Sequence, residues 1–192
     1  MGSVGVLALQ GDVREHLSTL SALGVESARV RTPGELDAVD ALVLPGGEST
    51  AIAHLLVTSG LREALGERLA AGMAVLGTCA GLILLAREVL DGRADQWSYG
   101  ALEVSVRRNG YGRQIASFEA PLELADGSSV PGVFIRAPRI LSRSSAVEVL
   151  ATYTHADGTD PVLVRQGPVW GASFHPELTA DTTVHRLFVE SL

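Results

Sequence analysis

The sequence predicts a doubly wound α/β fold, a mostly parallel central sheet covered by helices on both faces. Three observations carry that reading. Short apolar runs alternate with helical stretches through the first half of the chain. Those runs are apolar almost without interruption, as strands buried on both faces of a parallel sheet must be. Beyond about Asp91 the pattern changes to short alternating segments broken by Gly, Pro, Asn and Asp, the signature of antiparallel strands.

Taken in order, Val4-Gly5-Val6-Leu7-Ala8-Leu9 reads as the first buried strand. Asp12 is placed to cap the helix that follows, with Glu15 three residues on in a capping-box spacing; Leu17, Leu20 and Leu23 form its apolar stripe and Gly24 ends it. Val25 to Val30 and Ala41-Leu42-Val43-Leu44 are the next strands. The turn Pro45-Gly46-Gly47-Glu48-Ser49-Thr50 then opens a helix carrying Ile52, Leu55 and Leu56. A further helix from about Leu61 to Ala71 leads through Gly72 into the strand Ala74-Val75-Leu76, and Leu82 to Ala86 begins a buried helix. In the second half, Leu102–Val106, Val130–Ile135, Val147–Tyr153, Pro161–Val164 and Val169–Phe174 are expected as antiparallel additions to the sheet. Asp181 to Leu192 closes the chain as a helix with Val184, Leu187 and Phe188 turned inward. No repeat, low-complexity segment or linker interrupts residues 1–192, so one domain is expected.

Composition narrows the chemistry. With 192 residues and 46% hydrophobic content the chain can bury a sizeable core. No apolar stretch approaches the ~20 residues of a membrane span, and the N-terminus lacks the charged region of a signal peptide. A single cysteine excludes an internal disulfide and fits a reducing cytoplasm. A net charge of −7 argues against nucleic acid as the principal partner. All 15 basic residues are arginine, so no lysine is available to form a Schiff base with a carbonyl substrate.

That one cysteine stands in Gly77-Thr78-Cys79-Ala80-Gly81, between an apolar run and an apolar helix start. A nucleophile on a tight strand-to-helix turn is pushed out at the sheet edge, small neighbours permit a strained backbone, and the helix N-terminus favours a thiolate. Read alone, the same residue is more commonly a small core side chain. A thiol nucleophile needs a base, and the base an orienter. Of the five histidines, His16 and His54 fall in expected helices as surface or structural residues, His155 in a turn and His185 in the last helix. His175, in Phe174-His175-Pro176-Glu177, differs: residues two apart in an extended chain point the same way, so Glu177 can hold one ring nitrogen while the other faces a thiol.

Gly-x-Cys-x-Gly followed much later by His-Pro-Glu resembles the pattern of class I, triad-type glutamine amidotransferases. Within them the chain looks like the glutaminase subunits of pyridoxal 5′-phosphate synthase. The likeness rests on Gly5 to Asp12, Pro45 to Thr50, Arg108-Asn109 with Gly112-Arg113-Gln114, Phe134 to Pro138, and Phe174 to Leu178, with Gly110-Tyr111 departing from the usual small residue and phenylalanine. The resemblance implies a flavodoxin-like three-layer sandwich in which Cys79 attacks the side-chain amide of L-glutamine, His175 is general base and then general acid, and Glu177 orients His175. It implies backbone N–H groups of Gly47 and Ala80 as oxyanion donors. Glutamine itself is expected against Gly47, Glu48, Ser49, Arg108, Ile135 and Arg136, where arginine suits its carboxylate and Glu48 its ammonium. No cofactor and no metal enter this chemistry. The implied partner is the barrel-shaped synthase subunit, which receives ammonia and whose docking onto the Gln10-Gly11 loop is expected to complete the oxyanion hole. The rival readings are another cysteine hydrolase, such as a peptidase or esterase, and a catalytically idle binding subunit.

Overall fold

Buried apolar runs line up side by side to make the parallel half of the main sheet. In the computed structural model, which describes residues 2–92, 96–111 and 117–192, these are β1 (Val4–Leu7), β2 (Ser27–Val30), β3 (Ala41–Leu44) and β4 (Ala74–Thr78). β1 and β3 are buried at every residue, whereas β2, whose Ala28 and Arg29 are exposed, is the edge. The helices between them are α1 (Val13–Ala22), α2 (Pro33–Asp37), α3 (Ser49–Thr58) and α4 (Leu61–Ala70), and α5 (Ala80–Leu85) follows β4 directly.

The remaining strands are β5 (Ala86–Val89), β6 (Leu102–Arg107), β7 (Ser117–Leu124), β8 (Ser129–Ile135), β9 (Arg139–Arg143), β10 (Glu148–His155), β11 (Gly158–Gln166) and β12 (Val169–Ala172), before the closing helix α6 (Thr183–Glu190). Nine strands form one sheet in the order β2-β1-β3-β4-β12-β11-β10-β7-β8. β11, β10 and β8 extend the sheet antiparallel as predicted, with the unpredicted β7 between β10 and β8, while β12, expected as an antiparallel addition, pairs antiparallel with β11 and parallel with β4. Leu102–Val106 is the exception: as β6 it joins β5 and β9 in a separate three-stranded sheet. α5 ends after six residues and Ala86 turns extended without a glycine, so the sequence carries no stop signal where β5 begins. β7 went unread because Pro121 interrupts its alternation; it lies opposite Pro131 of the edge strand β8, where two residues lacking N–H groups can face one another.

Alternate residues of the parallel strands feed two cores. Leu42, Leu44 and Val75 pack with Ile52, Leu56, Leu65 and Leu84 on the face covered by α3, α4 and α5. Val4, Val6, Val43 and Leu76 pack with Leu20, Val184 and Phe188 on the face covered by α1 and α6. This is the expected three-layer α/β sandwich. Of the inward residues predicted for α6, Val184 and Phe188 are fully covered and Leu187 is half-buried.

One local expectation holds and another changes. Gly24 does end α1, at φ +70°, with the amides of Gly24 and Val25 bonded back to Ser21 and Leu20. Asp12, by contrast, makes no side-chain cap, and its carboxylate turns elsewhere. The full capping box stands on α2, where Glu35 N donates to Thr32 Oγ1 at 3.3 Å and Thr32 N to Glu35 Oε2 at 3.1 Å. Gly112-Arg113-Gln114, part of the resemblance, lies outside the described residues. Tyr111, just before it, packs its ring against Phe118, Phe134 and Tyr153.

Where β4 passes into α5, a Cβ on Gly81 would overlap the carbonyl oxygen of Leu44 in β3. Gly81→Ala is therefore expected to lower stability by about 1–3 kcal/mol, read from the urea midpoint. Gly34→Ala, at a site with nothing within 4 Å, is expected to leave it unchanged or raise it slightly.

Candidate active site

The chain reverses the order of its strands at β1 and β3, and the carboxyl ends of β1, β3, β4 and β12 open at that switch point. Each contributes a piece of the site. β4 delivers Cys79, whose φ of 48° and ψ of −100° are a strained conformation for a side-chain-bearing residue, costing about 1–3 kcal/mol. The strain is held from both sides. Cys79 N donates to Ala172 O of β12 at 2.8 Å, and a Cβ on Gly77 would come within 2.6 Å of the Gly81 carbonyl carbon. Ala80 begins α5, so its N–H is among the donors that a helix leaves unpaired at its first turn.

β12 delivers His175, whose own N–H is anchored on Val133 O of β8 at 2.8 Å. Extended geometry is not what brings Glu177 to it: the chain turns through a 3-10 segment, Pro176–Leu178, and that turn swings the carboxylate under the ring. His175 Nδ1 donates to Glu177 Oε1 at 2.8 Å, and Asp12 Oδ2 from the end of β1 stands 3.4 Å from the same nitrogen. Burial opposes a charge on His175, but hydrogen bonds to Asp12, Cys79 and Glu177 outweigh it and push its pKa up to about 12. The ring facing the thiol is thus an imidazolium. Burial raises the pKa of Glu177, with His175 pulling the other way. The donor atoms of Asp12, His175 and Glu177 lie within 4.8 Å of one another, yet Nδ1 carries a proton between them, so the group is a hydrogen-bonded set rather than a cation cage.

β3 delivers the loop Pro45 to Glu48. Gly47, at φ +149°, has the Gln10 side chain where a Cβ would stand, and Glu48 N donates to Gln10 Oε1 at 2.9 Å. Gly11, at φ +106°, lies with its α-carbon against the carbonyl oxygen of Gly46. The Glu48 carboxylate caps α3 through Thr50 N and Ala51 N and accepts from Arg108 Nη2 at 2.8 Å. Although partial burial opposes it, these bonds hold Glu48 below the usual carboxylate range. A cleft of about 350 Å³ joins the parts, lined by Gln10, Asp12, Gly47, Glu48, Ser49, Cys79, Ile83, Arg108, Asn109, Ile135, Arg136 and His175. Every residue expected against glutamine therefore lines one cavity; Arg136 is exposed at its lip, at φ 44°. Ser49 is buried, its hydroxyl donating to Gln96 Oε1 at 3.1 Å. Glu177 lies behind His175, out of the cleft.

Sequence reading missed two features. Asp12 was read as a helix cap, although its place at the carboxyl end of β1 was a signal for the site. His16, read as a surface or structural residue, and His185, read only as part of the last helix, are both fully buried behind Glu177, with His16 Nδ1 2.8 Å from His185 Nε2. Burial and mutual repulsion hold His16 well below 6.5, and burial takes His185 down to about 4, so both are neutral at pH 7.

A strained thiol beside an imidazolium and a carboxylate, at the switch point of a parallel sheet, is the arrangement a cysteine nucleophile requires. The model of the SNO glutamine amidotransferase family matches residues 6–192, and the chain belongs to that family. It is 54% identical over 191 residues to the pyridoxal 5′-phosphate synthase subunit PdxT of Frankia casuarinae, covering 98% of this chain and 94% of that one. The PdxT of Salinispora arenicola is 52% identical over 190 residues, covering 97% and 94%. The crystal structure of a glutamine amidotransferase superposes with a TM-score of 0.89 at 48% identity, covering 98% and 97%. Among the described residues no helix is long and apolar enough to cross a membrane.

The histidines set opposite pH limbs of stability. His175 binds its proton more tightly folded than unfolded, so its contribution is present below about 6.5 and lost as pH rises. His16 and His185 bind theirs less tightly, so their contribution is present above about 6.5 and lost as pH falls. Unfolding free energy is expected to peak near pH 6.5, with His185 alone removing roughly 3 kcal/mol by pH 4. Urea titrations at stepped pH check this, and His175→Gln should flatten the alkaline limb only.

Proposed function

We propose that the chain hydrolyses L-glutamine to L-glutamate and ammonia, and that the ammonia passes to a synthase subunit making pyridoxal 5′-phosphate. The observation that carries this reading is the convergence, in one cleft of a glutamine amidotransferase fold, of Cys79 and His175 with the Glu48–Arg108 pair. The names of the relatives supply the partner. The absence of lysine supports the division of labour, because carbonyl chemistry through a Schiff base must then sit on another chain.

The steps follow from the positions. Arg108 takes the α-carboxylate of glutamine, with Arg136 at the lip closing over it, and Glu48 adds the negative charge that suits the α-ammonium. The Cys79 thiolate attacks the side-chain amide carbon, and the C=O electron pair moves onto oxygen. Backbone N–H groups of Gly47 and Ala80 receive that oxyanion, an interaction worth roughly 3–4 kcal/mol in comparable sites. His175 gives its proton to the nitrogen, the C–N bond breaks and ammonia leaves a glutamyl thioester. Water then attacks the thioester carbon, His175 takes the water's proton, and the C–S bond breaks to free glutamate and Cys79. Glu177 keeps the His175 ring in register through both transfers. The free thiol requires a reducing compartment, for which we propose the cytoplasm.

Glutamate release, measured with and without the synthase subunit, tests the reading. Wild-type protein is expected to turn over in the complex, Cys79→Ala to lose roughly three orders of magnitude or more in kcat, and Arg108→Met to raise KM about 10- to 100-fold. No release by the wild-type complex, or full release by Cys79→Ala, would sink the proposal.

A further inference from the structure

Glu177 has two carboxylate oxygens, and the triad uses one. Oε2 is buried and has no hydrogen-bond partner among the described residues. It faces His16 Nε2 at 3.5 Å, with both side chains fully covered. His16 comes from α1, and its Nε2 also stands 3.2 Å from Thr78 Oγ1, the hydroxyl of the residue before Cys79. Its other nitrogen, Nδ1, is 2.8 Å from His185 Nε2 on α6. Two helices on the face of the sheet remote from the cleft thus send a histidine pair through to the back of the catalytic carboxylate.

Two neutral imidazoles share one proton across that short contact, and only one arrangement suits the surroundings. If His16 Nδ1–H donated to His185, His185 would keep its proton on Nδ1, a buried atom with no partner among the described residues. His16 would then aim a bare lone pair at the Glu177 carboxylate. If His185 Nε2–H donates instead, the unpartnered Nδ1 is an acceptor, which costs less to bury than an orphan N–H. His16 then carries its proton on Nε2, between Thr78 Oγ1 and Glu177 Oε2.

We infer that His16 is a positioning residue for the triad: its Nε2–H holds the outer oxygen of Glu177, and His185 fixes the tautomer that makes this possible. The inference rests on the reading of Cys79, His175 and Glu177 as the triad. The N–H dipole keeps Glu177 ionised when His175 gives up its proton and the positive charge beside the carboxylate disappears. The other titratable groups around Glu177 are His175 itself and Asp12 at its Nδ1, Cys79 beyond the ring, and the Arg14–Glu15 pair, closed on itself at 2.9 Å on the outer face of α1. Asp12 disfavours the ionised carboxylate, while His175 and the backbone N–H of Glu177 itself favour it; His16 Nε2 is the side-chain group that faces Oε2.

The test compares His16→Phe, which keeps a ring but no donor, with His16→Gln, whose amide restores one, and with His185→Phe, which releases the tautomer. Two pH profiles are read: kcat for glutamine hydrolysis in the complex with the synthase subunit, and the rate of Cys79 alkylation by iodoacetamide in the same complex. His16→Phe is expected to lower kcat about tenfold with KM within about twofold, and to move the acidic limb of both profiles up by about one pH unit, because Glu177 protonates earlier. His16→Gln should recover most of both changes, and His185→Phe should show part of the shift. Unshifted profiles in folded His16→Phe overturn the inference. If that variant does not fold, His16→Gln and His185→Phe decide it: a His185→Phe profile no different from that of His16→Gln overturns it. Failure of the glutaminase reading itself shows separately, as absent glutamate release by the wild-type complex while alkylation still reports the triad.

Discussion

The pairing of β12 with β4 is the contact on which the rest of the site depends. It joins segments from the two halves of the chain in parallel register, Ala172 beside Thr78, and the last bond of that ladder runs from Cys79 N to Ala172 O. One hydrogen bond therefore fixes the strained backbone of Cys79 and the starting point of the turn that carries His175 and Glu177. The antiparallel extension matters for the same reason. β8, at the far edge of the sheet, reaches back to bond the amide of His175 through Val133 and brings Ile135 and Arg136 to the lip of the cleft.

Around that bond, glycines set how closely backbones approach. Gly77 and Gly81 meet across the turn of Cys79, Gly81 presses on β3, and Gly46 lies against the ring of His175. Each is a place where a methyl group would displace backbone or the His175 imidazole, so the composition of the loops follows from the geometry of the site. Arg136 shows the complementary case, a long side chain held at positive φ at the end of β8.

The charges are arranged so that burial is offset on one side of the sheet and left unopposed on the other. Facing the cleft, His175 is surrounded by Asp12, Cys79 and Glu177 and holds its proton. Behind the carboxylate, burial outweighs the Glu177 oxygen that stands 3.5 Å from His16 Nε2, and His16 and His185 stay neutral. Glu48 adds a second economy of structure, since one carboxylate both caps α3 and orients Arg108 across the pocket.

The parallel half of the fold was legible in the sequence because strands buried on both faces must be almost wholly apolar, and Val4–Leu7, Ala41–Leu44 and the Ala74-Val75-Leu76 part of β4 carry no polar side chain. The cleft-lining residues were legible too, since they sit on motifs at the ends of those strands, as were Cys79, His175 and Glu177. Other features depend on contacts between distant segments, which leave no local pattern. Nothing near Ala86 or Leu102 announces that β5 and β6 pair with β9 rather than with the main sheet. Asp12 has the spacing of a helix cap, and only the arrival of His175 gives its carboxylate a different partner. His16 and His185 read as residues of two unrelated helices. The sequence by itself determined the parallel half of the sheet, the tight turn at Cys79 and the residues at its edge. The tertiary structure alone decided which of them touch, because hydrogen bonds between residues far apart in the chain are set by packing, not by local order.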